Sequence, residues 1–464
     1  MGDRLWLLSI TFTGLPGGVL RVATSAVDVD GYVFREGLGT VLVREELPDF
    51  QSIGALSRVV VSWVLPDVDV AALEAAGHTL ARAPVELALW EEGTSWEARR
   101  VLVIGRLSEP TYGEAGEVVK AAIEPNILPE RVIPDPSWIG NGSTGATMPI
   151  AFGMPGAYVD EDGDVERVAG IGLAGVVLSY GAVAASSAYV WEQGTSLSTG
   201  TSEDVFRGLD VNGVPYSSIP AAPAADSWAV LEFEGALDGA RSLASVLALL
   251  HRVAGVPVDA TALGVLDQRL GAWMIDGVID EPTDLMAWVG SVLLPIVPLV
   301  AVPGRNGWRY VVIRPEANAI EAVYTIDADL DAAVSFVGPV EIDDEVRGDL
   351  SLGWAWDLST GEPAQTMTLA GNDDAPPWAG EAACMYDRAT VARALGAIRE
   401  MWGVRRLAYT YLVPTDAAAH LHLGDIVAIE HSALALSGVV GQVWALEWGD
   451  DGLLGIEVRV WHRR

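Results

Sequence analysis

The stretch from Leu421 to Trp461, LHLGDIVAIEHSALALSGVVGQVWALEWGDDGLLGIEVRVW, packs three strand-like runs between short turns. After the turn GDDG, Ile456, Val458 and Val460 point one way while Glu457 and Arg459 point the other, the period-two alternation of a strand. A strand leaves backbone donors and acceptors on both edges, so runs this close together satisfy one another by antiparallel pairing. The stretch therefore reads as the wall of a small barrel.

The segments before it extend this reading. RRLAYTYLV is a strand, and DRATVARALGAIREMWG a helix with Val391, Ala394, Leu395, Ile398 and Met401 on one side, Asp387 as cap and Gly403 as stop. In ARSLASVLALLHRVAG the residues Leu243, Val246, Leu247, Leu250 and Val253 share a face, and Gly255 ends the helix. DATALGVLDQRLG is a second short helix capped by Asp259, and EPTDLMAWVGSVL a third, with Pro282 at its start.

The first third is β-rich. VVVSWVL is a buried-strand run, DVDVAALEAAGH a short helix capped by Asp69, and PVELALW a half-buried strand with Val85, Leu87 and Leu89 inward. EEGTS turns that strand back into WEARRVLVIGRL. A proline-rich loop region follows, then a Gly/Ala/Ser-rich β region from Val165 to about Glu234.

The expected fold class is α+β, mostly antiparallel β, with two tube-like β-barrel domains and a small helical cluster. The expected domains are 1–128 (N-terminal β), 129–236 (Gly/Ala-rich β), 237–320 (helices plus hairpin) and 321–464 (C-terminal β-barrel with one helix).

Composition narrows function. The 464 residues carry a net charge of −35, and Lys120 is the one lysine. Sequence-specific DNA binding needs a basic face, so it is excluded. Half the residues are hydrophobic, which excludes disorder as the dominant state, and 17 Trp against 7 Phe favours broad interfaces. One cysteine, Cys384, allows no internal disulfide. Of two uncharged runs, Leu285 to Val302 is broken by Pro295 and Pro298 and Val168 to Trp191 is weakly apolar, so neither is read as a membrane span.

The motifs G-x-S-x-G, H-E-x-x-H, G-x-x-x-x-G-K-[ST] and C-x-x-C are absent. DEDGDVE places Asp160, Asp162, Asp164 and Glu166 at alternate positions, but its glycine falls wrongly for a calcium loop, and a solvated hairpin turn is preferred. His420 and His422 share one side of an extended segment near Asp425 and His431; zinc could use that geometry, but ordinary surface residues are preferred. Cys384 lacks a local base and reads as a buried apolar residue. NGST at Asn141 matches a glycosylation acceptor, with nothing else pointing to secretion. Acidic turns recur at Asp67/Asp69, Asp160 to Glu166, Asp343/Asp344/Glu345 and Asp373/Asp374. We assign no catalytic, cofactor-binding or metal-ligating residue.

The succession of WEARRVLVIGRLSEP, ATMPIAFGMPGAYV, a helical segment, and CMYDRATVARALGAIREMWGVRRLAYTYLV leading into the closing strands resembles the tail hub proteins of tailed bacteriophages and related gene-transfer particles. The family's "G-R-[IL]" strand end is matched by Gly105, Arg106 and Leu107, and its Pro-Ile-x-x-Gly segment by Pro149, Ile150 and Gly153. Its "L-x-x-G-D-x-V" is matched by Leu421, Gly424, Asp425 and Val427, followed by "G-x-V" and a closing strand. The resemblance covers most of the chain in order; residues 165–235 match least.

It implies a structural virion protein at the distal end of the tail: a homotrimer of two barrel-like domains per chain, forming a ring. Such a ring joins a sixfold tail tube or distal tail protein to a threefold spike, fibre or tape measure protein. DNA passes through it without sequence-specific binding, and a wall of carboxylates suits that passage. No cofactor and no enzymatic activity are implied. Two alternatives are a tail-associated cell-wall hydrolase, using paired carboxylates or His420/His422, and a carbohydrate-binding receptor-recognition protein using exposed Trp.

Overall fold

Strand pairing follows the apolar alternation through most of the chain. The computed structural model describes residues 4–12, 18–48, 53–54, 59–63, 77, 79–109, 111–112, 118–125, 131–137, 148–168, the short pieces 171–172, 177–180, 187–191, 201–204, 206–209, 215–218 and 228–231, and 240–462 apart from 305, 343–345, 359, 372–373 and 450–451.

A 16-stranded sheet organises the molecule. Its path begins at Ser335–Ile342 and runs through Arg405–Pro414, Leu453–His462 and Leu436–Trp448. It continues through Leu38–Glu46, Val59–Trp63, Val118–Pro125, Arg100–Leu107, Pro84–Glu91 and Arg4–Thr11 to Val19–Ala23, Tyr32–Glu36 and Val27–Val29. Most neighbours are antiparallel; Tyr324–Asp327 beside Ile426–His431 and Val19–Ala23 beside Tyr32–Glu36 are parallel.

This path has two ends, so among the described residues neither half closes into a barrel, which corrects the expectation of two tube-like domains. The reason lies in the 13-residue strand Leu436–Trp448. Its first part pairs with Ile426–His431, and its last four residues pair with Val43 to Glu46 of the N-terminal half. A register shift between Val443 and Ala445 marks the change of direction, the usual effect of a bulge.

Both ends of the sheet are blunted. Ser335–Ile342 carries a register shift at Gly338 (φ +149°) and then Pro339, which has no N–H to offer. At the other end Val27–Val29 is three residues long.

Pro84–Glu91 is buried on both faces rather than one. Val85, Leu87 and Leu89 enter the main core, while Ala88 and Trp90 join Leu7, Ala23, Val29 and Phe34 in a second cluster under the Val27–Glu36 hairpin. The closing strand departs from strict alternation in the same way, since Arg459 is buried along with Ile456, Val458 and Val460. Its guanidinium lies 3.9 Å from the centroid of the Trp444 ring.

The helices form where the sequence places their caps. Leu243–Ala254 starts at Ser242, whose side chain accepts from the Ser245 N–H, and ends at Gly255 with φ +65°. Ala260–Leu270 is capped by Asp259 and Arg388–Trp402 by Asp387. The third expected helix starts at Leu285, capped by Asp284, rather than at Pro282. Thr283–Asp284 are instead paired as a strand with Val132–Ile133.

The run from Leu285 continues as a π-turn, Val289–Leu293, and then a hairpin, Leu299–Gly304 with Gly307–Val312. No helix among the described residues is long and apolar enough to cross a membrane. Leu350–Asp357, Glu362–Leu369 and Trp378–Ala382 make a separate three-stranded sheet, and the strands between 171 and 231 form two further small sheets. The helix expected over DVDVAALEAAGH lies outside the described residues.

Candidate functional site

The residues that carry the resemblance gather at structural joints. Ile150–Phe152 pairs with Gly277–Ile279, and Gly153 follows with φ +65°. A Cβ on Gly153 would overlap the carboxylate of Asp276 and the Ile275 carbonyl. Asp276 is fully buried; its Oδ1 accepts from the Met154 N–H at 2.6 Å and from Arg241 Nε at 2.9 Å, while Oδ2 has no partner. Burial pushes its pKa up, and the Arg241 charge pulls it back. Pro149, Ile150 and Gly153 thus mark the point where the loop-rich segment is riveted to the helical part.

The second joint is the turn at Gly424. Its φ is +89°, and a Cβ there would overlap the Val311 side chain. Asp425 Oδ2 accepts from the His422 N–H at 2.7 Å, and the turn is zipped to the closing wall by Gly424 N–H to Val443 O and Val443 N–H to Asp425 O, each 2.8 Å. Leu421 and Val427 are fully buried on either side. Gly441–Val443 fits the "G-x-V" position, and its central residue is Gln442.

Gln442 is fully buried and donates from Nε2 to Val312 O (2.8 Å) and Gly424 O (2.9 Å), while its Oε1 accepts from the Arg314 N–H at 3.1 Å. Sequence reasoning did not single out this residue. A glutamine within an apolar strand pattern was the available signal, since a buried amide demands partners.

At the third joint the two halves of the sheet meet. The segment from Thr415 to Asp425 crosses the N-terminal half as a strap. Arg4 donates to Thr415 O at 2.8 Å and approaches Asp416 (3.4 Å) and Glu91 (3.7 Å). Arg100 donates to Ala419 O, to Leu421 O at 2.8 Å and to His422 Nδ1 at 3.2 Å, with its guanidinium 4.6 Å from the Trp448 ring centroid.

Arg309 Nη2 holds Leu423 O at 2.9 Å. Burial lowers the Arg100 pKa, and Glu45 opposes that; burial raises the Glu45 pKa, with Arg100 and Arg309 opposing. Gly105 and Leu107, further along the Arg100 strand, pair with Val85 and Ile123, and Leu107 is fully buried.

The residues weighed for metal chemistry do not converge. Among the described residues no three His, Cys, Asp or Glu side chains come together to hold an ion. His420 lies edge-on to Tyr324, His422 faces Arg100, and His431 packs against Phe336 and Tyr411. Asp160 Oδ1 accepts from the N–H groups of Asp162 and Asp164, both at 2.9 Å, which closes a hairpin turn, and Glu161 pairs with Arg388 at 3.0 Å. Cys384 is buried, and burial, with Asp276 nearby, pushes its thiol up to about 12. Asn141, Asp67/Asp69, Asp343/Asp344/Glu345 and Asp373 lie outside the described residues, and Asp374 is exposed.

One face of the sheet, where the halves join, carries a charge cluster that turn-reading missed. Arg44 lies 3.0 Å from Glu46, 3.5 Å from Glu447 and 3.9 Å from Glu457, and Arg459 lies 3.6 Å from Glu457, so three carboxylates gather around two cations. An open groove of about 520 Å³ lies beside the Gly424 turn, with Val265, Val323, Arg269, Arg309, Arg314 and Glu321 on its walls.

No family model matches the chain, and no curated protein matches it. Among solved structures it is similar to the 43 kDa tail protein of prophage MuSo2 from Shewanella oneidensis, at 7% identity over 97% of this chain and 98% of that one, with a TM-score of 0.39. A tail protein from Neisseria meningitidis MC58 is similar at 9% identity over 98% of this chain and 96% of that one, TM-score 0.36. A chain from the virion of a native gene transfer agent particle is similar at 14% identity over 69% of this chain and 85% of that one, TM-score 0.39.

Proposed function

We propose that this chain is a structural subunit of a phage-type tail: a homotrimeric hub at the distal end of the virion tail, joining the tail tube to a spike, fibre or tape measure protein and forming part of the DNA ejection conduit. The stretches 1–128, 129–236, 237–320 and 321–464 are its assembly units in this reading. The observation that carries it is the 16-stranded sheet that both ends of the chain share. The strand bearing the G-R-L match and the turn bearing the L-x-x-G-D-x-V match are more than 300 residues apart in sequence, yet Arg100 and His422 bring them to one seam. A wall continuous from one half of the chain to the other is what a conduit segment requires.

The lumen side in this proposal is the face bearing Arg44, Glu46, Glu447 and Glu457. Carboxylates fixed on strands repel phosphates and offer no cationic groove for counterion release. Closure by copies of one chain needs heterologous contacts that complete a ring, and the tryptophan-rich composition supports broad interfaces.

Light scattering of the purified chain, followed by negative-stain imaging, tests the proposal. Threefold rings with an open centre are expected. A monomer that forms no ring even when mixed with tail tubes overturns it.

A further inference from the structure

The strap at the joint of the two half-sheets has a chemical asymmetry between its anchors. At one end Arg4 donates to the Thr415 carbonyl at 2.8 Å and lies 3.4 Å from Asp416, with no imidazole in the contact. At the other end Arg100 faces a ring nitrogen, His422 Nδ1 at 3.2 Å, beside its contacts to Ala419 O and Leu421 O. A guanidinium only donates, so Nδ1 must accept, and the ring proton sits on Nε2. The contact exists only with neutral imidazole.

We infer that the 415–425 strap is a proton-sensitive latch, held down across the seam of the two half-sheets while His422 is neutral and loosening when that imidazole is protonated. A second proton would set an N–H donor against the Arg100 donors and add a cation beside Arg100 and Arg309. Each charged group around the ring enters this balance. Arg100 comes from Arg100–Leu107 and Arg309 from Gly307–Val312; both disfavour the imidazolium. Asp425, on the strap, favours it, but its Oδ2 is engaged by the His422 N–H at 2.7 Å.

Glu45, from Leu38–Glu46, acts on Arg100 and Arg309. His420, which lies against Tyr324, adds a further opposing charge when protonated. The sum is unfavourable to the cation: although His422 is exposed at its outer side, partial desolvation first, then Arg100, holds its pKa below the ordinary value. Folding therefore favours the neutral ring, and acid works against the latch.

Hydrogen exchange of the full chain at pH 7.5 and pH 5, corrected for intrinsic rates, tests this. The amides of 419–425 are expected to lose protection on acidification, while those of Arg405–Pro414 hold theirs. His422→Asn keeps an acceptor near the Nδ1 position and has no titrating ring, so its strap protection should not change with pH. Arg100→Gln should give low protection at both pH values. An equal loss in the wild type and His422→Asn overturns the latch, as does unchanged strap protection in the wild type or an equal loss along Arg405–Pro414.

Discussion

The Gln442 side chain donates to the Gly424 carbonyl at 2.9 Å from a fully buried position, and so ties the turn to the strand that spans both half-sheets. Because the same amide also serves Val312 and Arg314, its loss strands three backbone groups. Gln442→Leu keeps the volume but leaves those groups without partners, at a cost of about 2–4 kcal/mol. Denaturant unfolding should show the midpoint falling with an unchanged slope; a midpoint equal to wild type would contradict the argument.

Two glycines with nearly the same φ separate strain from collision. Gly424 (φ +89°) has Val311 against its missing Cβ, whereas Gly163 (φ +88°) has open space. Gly163→Ala is expected to cost about 1 kcal/mol from the left-handed backbone alone. Gly424→Ala should cost about 3 kcal/mol or more, because overpacking adds to that strain. Equal losses in urea titrations would show that Val311 yields freely.

Acid should also act through His251. The ring is buried, with Nδ1 3.2 Å from Val256 O and Nε2 2.7 Å from Tyr310 Oη, a pattern that fits the neutral tautomer donating from Nδ1 and accepting from the tyrosine. Burial lowers its pKa to about 4. The unfolded ring titrates near 6.5, so the stabilisation is complete above that value and drains away as pH falls toward 4, by roughly 3 kcal/mol in all. Comparing urea midpoints at pH 7.5 and 4.5 for wild type and His251→Gln measures this part. The variant should be less stable at pH 7.5 and lose less on acidification; the same acid loss in both would remove His251 as the cause.

The charge on the seam face makes a spatial prediction. If the chain forms the rings proposed above, the combined variant Glu46→Lys, Glu447→Lys and Glu457→Lys should retain duplex DNA in them at low salt and release it as salt rises, while wild-type rings should retain none. Imaging decides the location: DNA held in the ring centre supports a lumen-facing wall, and DNA decorating the outer rim refutes it.

Much of the fold was legible because caps and alternation are local signals. Asp259 and Asp387 begin helices where their side chains satisfy the first turn, and Gly255 ends one in a left-handed conformation. The joints were legible only as motifs: Gly153 and Gly424 were visible as letters, but Asp276 and Val311, which exclude any side chain there, lie over a hundred residues away. The helix expected from Pro282 begins at Leu285 because Thr283–Asp284 are claimed by a strand that local propensity does not reveal. Barrel closure misled for the same reason. Alternation says that a strand will pair, and only the bulge after Val443 redirects the end of that strand to Val43–Glu46.

The bent, proline-bearing margin at Gly338 and Pro339 and the three-residue strand at the opposite margin have a consequence for crowding. Margins this interrupted give an incoming chain little to template on along the large sheet, so high local copy number need not seed fibrils there. In the proposed ring, copies would recognise one another through side-chain surfaces, which set a fixed angle between them and let growth stop at a definite number.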